Sequence, residues 1–493
     1  MNKKVLTMAV MAAVCGMAAA PVWAANSGGT VNGDGKFVGD NGAADNRLLI
    51  DEDSRQEIIS GLGTGNDKVQ NNSIEVSAGT ISERIIGGMS EGDGDIDYNS
   101  VTISGGKMSE AVYGAYTEGS GAVTNNKVII SGGMAEMSRE PVAGALSRGS
   151  GTVAYNSVTA TGGNFYAIFG GGSAEGIAEY NSVTVEGDTI IDGRVAGGLA
   201  MEGVARHNSV TISGTAEIKE GVFGGTVDRG GDPADLIDNS VMISGGKIGD
   251  VVFGAYTEGS GIVAYNSVTL TDGLINGEVY GGASTKNGIA EYNSVTVSGG
   301  TINMLATGGV SIDNVARYNN VTVTGGTIKG SIYGGMSEIN AIENKVMISG
   351  GNIGGDVCGA ESKAESSATG NEVIISGTPT FESAYGTNIY GASTFDGEIT
   401  GNKVTISGRP VFKFNDPDKN IKIYGGYVDR DGNVTGNSVE INGDMKFTEA
   451  LEIYGGYGGT GAVTGNSVTI SGRPIFAADS VIYGGYSASG GEV

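Results

Sequence analysis

The stretch Asn99-Ser-Val-Thr-Ile-Ser-Gly-Gly106 decides the fold of this chain. Val101 and Ile103 are apolar and β-branched, and each is followed by a small hydroxyl residue. Such period-two alternation ending in a Gly pair is typical of a short strand that runs into a turn. The stretch therefore predicts a strand with one apolar face and one polar face.

The first three residues of this stretch recur along most of the chain as Asn-(Ser/Lys/Asn/Glu)-(Val/Ile). Most neighbouring copies are 25 to 27 residues apart, and a degenerate copy begins at Asn46. The fifteen regular copies begin at Asn72, Asn99, Asn126, Asn156, Asn181, Asn208, Asn239, Asn266, Asn293, Asn319, Asn344, Asn371, Asn402, Asn437 and Asn466. Repetition at such a period is the signature of a repeat architecture.

Each copy contains two further parts. One is (Ile/Val)-(Tyr/Phe)-Gly-(Gly/Ala), as in Ile332-Tyr-Gly-Gly335, and the other is a short polar return such as Gly121-Ala-Val-Thr124. A unit with two or three short strands cannot bury its own apolar face, whereas a stack of such units can. The chain is therefore predicted to be all-β, a parallel β-helix (β-solenoid) of about 15–16 coils with ~27-residue repeats. A propeller is disfavoured, because its blades need about 40–50 residues.

An Asn at one corner of every coil predicts a ladder of side-chain hydrogen bonds along the stack, as in cross-β structures. Asn also tolerates the left-handed backbone conformation, so we expect positive φ at these corners. Gly accounts for 90 of the 493 residues, about 18% against a usual value of about 7%. We expect Gly at corners where φ is positive and no side chain fits.

The sequence divides into four segments. Residues 1–25 combine a basic start, an apolar run and small residues at Val22 and Ala24, which is the pattern of a cleaved signal peptide. Residues 26–45 are rich in Gly and Asp and are expected to cap the first coil or to stay loose. Residues 46–370 carry the regular β-solenoid repeats. Residues 371–493 carry a second subtype, marked by pairs such as Pro379 and Phe381, and stop part-way through a repeat.

Composition excludes several classes of function. Acidic residues outnumber basic ones by 26, which argues against a nucleic-acid partner. Cys15 lies in the predicted signal, so Cys358 is the one thiol expected after export and no intrachain disulfide is expected. His207, the single His, occupies a position that holds Tyr in several other copies. A Cys/His zinc site and a Ser-His-Asp triad are therefore not expected. We expect no cofactor and no enzymatic activity.

Asp93, Asp95 and Asp97 are the candidate metal ligands, since their alternating carboxylates resemble part of a calcium-binding loop. The Gly and the terminal Glu of such a loop are not in register here. A solvated turn is the other interpretation of these three residues.

The export signal followed by Asn-Ser-Val-Thr-Ile-Ser-Gly-Gly and Ile-Tyr-Gly-Gly units resembles the passenger region of bacterial type V autotransporters and related large surface adhesins. The resemblance covers residues 46–493. It implies an outer-membrane translocator barrel in the same longer chain or in the gene neighbourhood. Barrel-like strands do not precede Val493, so we expect a fragment or an anchor elsewhere.

This resemblance implies a secreted or surface-exposed structural and adhesive protein, exported through the inner membrane and associated with the outer membrane. Its expected partner is an unidentified host or microbial surface glycan or protein. Two alternatives stay open. One is a β-helix polysaccharide-degrading enzyme, a lyase or hydrolase. The other is a glycan-binding rod whose outward Thr and Ser rows contact sugars, as along residues Val183 to Glu186.

Overall fold

The computed structural model of the chain describes residues 22–24, 29–31, 36–39, 41–135, 140–228, 234–363, 366–383, 386–413 and 421–493. Within these ranges all regular elements are strands, and no helix is long and apolar enough to cross a membrane. The chain forms two compact units, Met1–Asp228 and Arg229–Val493. The first unit contains seven stacked coils and the second contains nine, with a typical spacing of about 27 residues, which confirms the predicted parallel β-solenoid.

Each coil contributes to three parallel sheets. Sheet A holds the strand that follows the corner Asn, sheet B holds the strand with the (Tyr/Phe)-Gly motif, and sheet C holds the short strand before the Asn. One coil of the second unit shows the order: Ile289–Glu291 in sheet C, Ser294–Val297 and Thr301–Ile302 in sheet A, then Ala306–Ser311 in sheet B. Polar turns join the strands at the corners.

The strands of the first unit follow this scheme. Sheet A contains Arg47–Ile50, Ser73–Val76, Thr80–Ile81, Ser100–Ile103, Lys107–Met108, Lys127–Ile130, Met134–Ala135, Ser157–Phe165, Ser182–Ile191, Ser209–Ile212 and Glu217–Ile218. Sheet B contains Phe37–Gly39, Ile58–Gly63, Ile85–Ser90, Val112–Thr117, Pro141–Ser147, Ala167–Ser173, Val195–Ala200 and Val222–Val227. Sheet C contains Val69–Gln70, Ile96–Asp97, Val123–Thr124, Val153–Ala154, Ile177–Glu179 and Val204–Arg206.

The second unit repeats the scheme. Sheet A contains Ser240–Ile248, Ser267–Ile275, Ser294–Val297, Thr301–Ile302, Asn320–Val323, Thr327–Ile328, Lys345–Ile348, Asn352–Ile353, Glu372–Ile375, Thr380–Glu382, Lys403–Ile406, Val411–Lys413, Ser438–Asn442 and Ser467–Ser471. Sheet B contains Val252–Thr257, Val279–Ser284, Ala306–Ser311, Ile332–Ser337, Val357–Ser362, Thr387–Thr394, Ile421–Val428, Leu451–Gly458 and Val481–Ser487. Sheet C contains Leu236–Ile237, Ile262–Ala264, Ile289–Glu291, Val315–Arg317, Asn340–Ile342, Ser366–Thr369, Gly397–Thr400, Val434–Thr435 and Val463–Thr464.

Neighbouring coils pair residue for residue, so that side chains at equivalent positions form columns. Val268 pairs with Val295, and Leu270 pairs with Val297 in the same two strands. These side chains point into the coil and are at most 1% exposed, while the Thr between them faces outward. Because a shift by one residue would move the apolar set to the outer face, this burial selects the register.

A ladder of buried Asn side chains runs along each unit. The Oδ1 atom of Asn293 accepts hydrogen bonds from both the backbone N–H and the Nδ2 of Asn266, at 3.0 and 2.9 Å. The Nδ2 of Asn293 donates in turn to Asn319 Oδ1 and to the carbonyl oxygen of Val263. Side-chain bonds of 2.8–3.1 Å join the ladder from Asn46 to Asn208 in the first unit and from Asn239 to Asn466 in the second.

The left-handed conformation lies one residue earlier than predicted. The ladder Asn residues do not have positive φ, whereas the residue before each of them does, as at Tyr98 (φ 55°) and Tyr265 (φ 58°). The expectation that the Asn itself adopts this conformation is wrong. Its backbone N–H bonds to the ladder Asn of the following coil, so the sharp turn is made by its predecessor.

The first Gly of the Tyr-Gly-Gly motif is needed for close approach between coils rather than for positive φ. A Cβ atom on Gly334 would lie 2.3 Å from the carbonyl oxygen of Gly359 and 2.8 Å from the backbone nitrogen of Lys345. The second Gly faces the ladder instead, since a Cβ on Gly335 would meet the side chain of Asn344. The next coil nevertheless has Ala360 at the position paired with Gly335.

The N-terminal segments fall partly within the described ranges. Residues 1–21 and 25 of the predicted signal lie outside them, and Val22–Ala24 is a strand that pairs antiparallel with Arg47–Ile50. Within residues 26–45, Gly29–Val31 pairs antiparallel with Phe37–Gly39. The latter strand continues sheet B, because its first two residues pair in parallel with Ile58–Gly63.

Residues 371–493 carry a different inner column in sheet A. The pairing of Asn352–Ile353 with Thr380–Glu382 brings Phe381 next to Ile353. Phe381 then stacks on Phe412 with ring centroids 4.9 Å apart, and both rings are buried. An aromatic column thus replaces the Ile column of the preceding coils.

The ladder predicts a specific loss of stability in Asn293→Ala. The substitution leaves two buried donors of Asn266 without an acceptor, which costs about 1–3 kcal/mol for each donor. Urea denaturation followed by circular dichroism should show this loss, and Asn352→Ala, at an exposed position of sheet A, should unfold like the wild type. Equal midpoints for all three proteins would contradict the role of the ladder.

The two Gly positions of the motif should respond differently to an added methyl group. Gly334→Ala forces a Cβ against the backbone of the next coil and should lower the free energy of unfolding by about 3 kcal/mol, at the upper end of overpacking costs. Gly335→Ala should cost clearly less, because the neighbouring coil already accommodates Ala360 there. Thermal melting of the two variants measures the difference, and equal melting temperatures would refute it.

Candidate functional site

Two columns of tyrosines cover the outer face of sheet B near the end of the second unit. They come from the second and fifth positions of the motif that begins with Ile in these sheet B strands, as in Ile423-Tyr-Gly-Gly-Tyr427. Within one strand the rings of Tyr424 and Tyr427 meet edge to face at 5.0 Å, so both lie on the same face. Between coils the rings stack at 5.1–5.4 Å, along Tyr390, Tyr424, Tyr454 and Tyr483 and along Tyr427, Tyr457 and Tyr486.

Both columns are interrupted by small residues, and a cavity of about 560 Å³ lies at the interruption. Cys358 takes the place of Tyr in the second-residue column, and Ser393 takes the place of Tyr in the fifth-residue column of the next coil. The Cys358 Sγ and the Ser393 Oγ are 3.5 Å apart. The groups around the cavity are Tyr333, Asp356, Glu361, Ser362, Lys363, Tyr390, Thr394, Phe395, Tyr427 and Asp429. We call this the Cys358 cavity.

Burial dominates the ionisation of the groups in the Cys358 cavity. Desolvation raises the pKa of the Cys358 thiol far above its usual range, and the nearby Glu361 carboxylate adds to the effect. Desolvation also raises the pKa of Glu361, although a hydrogen bond with Tyr333 opposes the shift. The pKa of Tyr390 is raised for the same reason, with Asp356 contributing. At neutral pH the thiol therefore stays protonated.

The buried, protonated Cys358 thiol is therefore a packing residue rather than a nucleophile, because the thiolate is the reactive form. Its Sγ–H donates to the carbonyl oxygen of Ala360 at 2.8 Å, and the side chain is 1% exposed. The cavity is thus lined by aromatic rings, by carboxylates and by the unreactive Cys358 thiol. Such a combination suits the binding of a small ligand.

A second aromatic feature is a stack of rings at the corner that precedes the ladder Asn, which we call the corner stack. In the first unit Tyr155 stacks on Tyr180 at 4.8 Å, and Tyr180 stacks on His207 at 4.5 Å. In the second unit Tyr292 stacks on Tyr265 at 5.0 Å and on Tyr318 at 4.9 Å. His207 therefore occupies an aromatic position in the stack, as its alignment predicts.

The corner stack is exposed and lies beside ion pairs. Tyr155 and Tyr265 are each 56% exposed, and Tyr292 is 43% exposed. Glu291, next to Tyr292, pairs with Arg317 of the following coil at 2.7 Å. Large exposed rings next to charged groups are the composition of a contact surface.

The three calcium candidates point to separate partners in the next coil. Asp93 accepts a hydrogen bond from the backbone N–H of Ser120 at 2.8 Å, and Asp95 accepts one from Ala122 at 2.9 Å. Asp97 accepts from the Thr124 hydroxyl at 2.9 Å. Among the described residues, no group of three or more His, Cys, Asp or Glu side chains could hold a metal ion.

Sequence reasoning missed both aromatic features as possible sites. It identified the Tyr positions from the repeat but assigned no binding role to them. The second Tyr of Ile423-Tyr-Gly-Gly-Tyr427 is visible in the sequence and signals a double column. The partnership of Cys358 with Ser393 is not visible, because it depends on the register between two coils of unequal length. Comparison of the chain with protein families, curated proteins and solved structures gave no match.

The raised pKa of Cys358 predicts slow labelling by a disulfide reagent at pH 8. Because burial lowers the thiolate population and blocks access, the native chain starting at Asn26 should react more than about 100-fold slower than the unfolded chain. Met242→Cys in a Cys358→Ser background is the matched control, since Met242 is 51% exposed, and it should react rapidly. Native labelling of Cys358 as fast as this control would contradict the assignment.

Proposed function

We propose that the chain is an exported, surface-exposed adhesive repeat protein and that its corner stack is the contact surface for a glycan. The main support for this proposal is the residue type at the left-handed corner before the ladder Asn. The backbone at this corner does not require an aromatic side chain. Tyr265, Tyr292 and Tyr318 occupy left-handed corners, whereas the coils from residue 371 onward use Gly436 and Gly465 there.

The energetics of this corner favour a role beyond folding. A left-handed conformation costs a residue with a Cβ about 1–2 kcal/mol, and Gly avoids that cost. Stacking with neighbouring rings returns about 0.5–1.5 kcal/mol. On these terms Tyr is no better than Gly for the fold. Retaining Tyr there is consistent with selection for binding.

The stack has the properties expected of an adhesive surface. Tyr offers rigid, amphipathic contact area at low entropic cost, and its hydroxyl can bond to sugar hydroxyls. Rings held about 5 Å apart by the coil spacing are ordered before binding. Repetition along the unit lets a polymeric ligand engage several rings, which raises its avidity. The basic, then apolar N-terminal sequence supports export, and the repeat resembles those of autotransporter passengers and surface adhesins.

The proposal predicts that the triple variant Tyr265→Gly/Tyr292→Gly/Tyr318→Gly loses binding but keeps its stability. Because Gly suits the left-handed corner, the triple variant should melt at or above the wild-type temperature. Its affinity for glycans on an array, and for cells to which the wild type binds, should fall at least tenfold.

Met242→Ala, which removes an exposed apolar side chain from sheet A, is the control and should bind like the wild type. Unchanged binding of the triple variant would overturn the corner stack as the contact surface. Release of new reducing ends from a bound polysaccharide would instead support the degrading enzyme.

A further inference from the structure

The Cys358 cavity interrupts a column of aromatic rings, and this interruption exposes ring faces that the column hides elsewhere. Tyr390 stacks on Tyr424 on one side, while Cys358 leaves its other side without a ring. Tyr333 lies in the strand on the far side of Cys358. The strands of Tyr333 and Tyr390 are two coil steps apart, about 9.6 Å at the usual strand spacing. A group seated between them lies about 5 Å from each ring.

The cavity also has an excess of negative charge. Asp356, Glu361 and Asp429 contribute three carboxylates, against one cationic lining residue, Lys363. The Lys363 ammonium forms an ion pair with Glu338 at 2.5 Å. It also favours the charged form of the nearby Glu361, against the effect of burial on the pKa of that carboxyl. No described Lys, Arg or His lies within ion-pair distance of the three carboxylates.

The hydrogen bonds of these carboxylates come from neutral donors. Asp356 accepts from the backbone N–H and the Nδ2 of Asn388, at 2.7 and 3.2 Å. Asp429 accepts from the Tyr427 hydroxyl at 3.0 Å. The charge of Asp356 and of Asp429 is therefore solvated by dipoles, without an ion pair to a described cation.

Aromatic faces and uncompensated carboxylates together favour a cation of low hydration energy. A cation within about 6 Å of a ring centroid is attracted to the face of the ring, by about 2 kcal/mol or more when it is desolvated. A divalent metal ion would need converging oxygen ligands, and no such cluster exists among the described residues. A compact ammonium is strongly hydrated, whereas a quaternary ammonium is large enough to touch both rings.

We propose that the Cys358 cavity binds a small quaternary ammonium cation between Tyr333 and Tyr390, with Asp356, Glu361 and Asp429 supplying the counter-charge. This site is separate from the corner stack and does not depend on adhesion. Substituting Tyr for Cys358 would restore the missing ring of the column and fill the site.

Calorimetric titration of the folded chain with choline tests the proposal. Choline should bind saturably, and 3,3-dimethyl-1-butanol, its uncharged carbon isostere, should bind at least tenfold more weakly. Glu361→Gln and Asp429→Asn should each weaken choline binding severalfold. Glu382→Gln, which removes an exposed carboxylate of sheet A, should leave it unchanged.

Cys358→Tyr should abolish choline binding while keeping the wild-type circular dichroism spectrum, because Tyr is the residue of the neighbouring coils. If this variant misfolds, the two carboxylate variants decide the question. The proposal is overturned if choline does not bind, if the neutral isostere binds equally well, if glucose occupies the cavity in place of choline, or if both carboxylate variants bind choline like the wild type.

Discussion

The structure depends on one interaction, the side-chain hydrogen bond between Asn residues of successive coils. A ladder Asn inside the stack, such as Asn293, uses its Oδ1 twice and both hydrogens of its amide, so this buried polar group is fully satisfied within the stack. A buried amide in any other register would lose these partners at a cost of about 1–3 kcal/mol each. Together with the inward Val and Ile columns, the ladder selects one pairing from many similar repeats, and the aromatic columns follow from that register.

The same register determines where binding chemistry can occur. In a stack of identical coils each ring is covered by the next, and only ring edges and hydroxyls face outward. A ring face becomes available where a coil departs from the repeat, as at Cys358, or where the ring lies on an exposed corner, as at Tyr265. In this chain a single-residue exception to the repeat is therefore enough to change which ring faces are accessible.

Much of the fold could be predicted from sequence, because the evidence is local and repeated many times. The alternation around Val101 defines the sheet A strand, and Asn99 marks the corner. The position of the positive φ could not be predicted, since it depends on which backbone N–H the ladder uses. The Cys358 cavity could not be predicted either, because Cys358 and Ser393 are 35 residues apart and come into contact only through the pairing of two coils of unequal length.

Cysteine cross-linking between two coils tests the central claim, the residue-for-residue register, most directly. Thr269 pairs with Thr296, and both face outward from sheet A. In Thr269→Cys/Thr296→Cys the Cα atoms lie about one strand spacing apart, within disulfide reach, so oxidation should cross-link the chain almost completely. Thr269→Cys/Ser298→Cys places the second thiol two residues further along and should stay reduced under the same conditions. Equal cross-linking of the two variants, or preference for the second, would contradict the register and with it the ladder, the columns and the cavity.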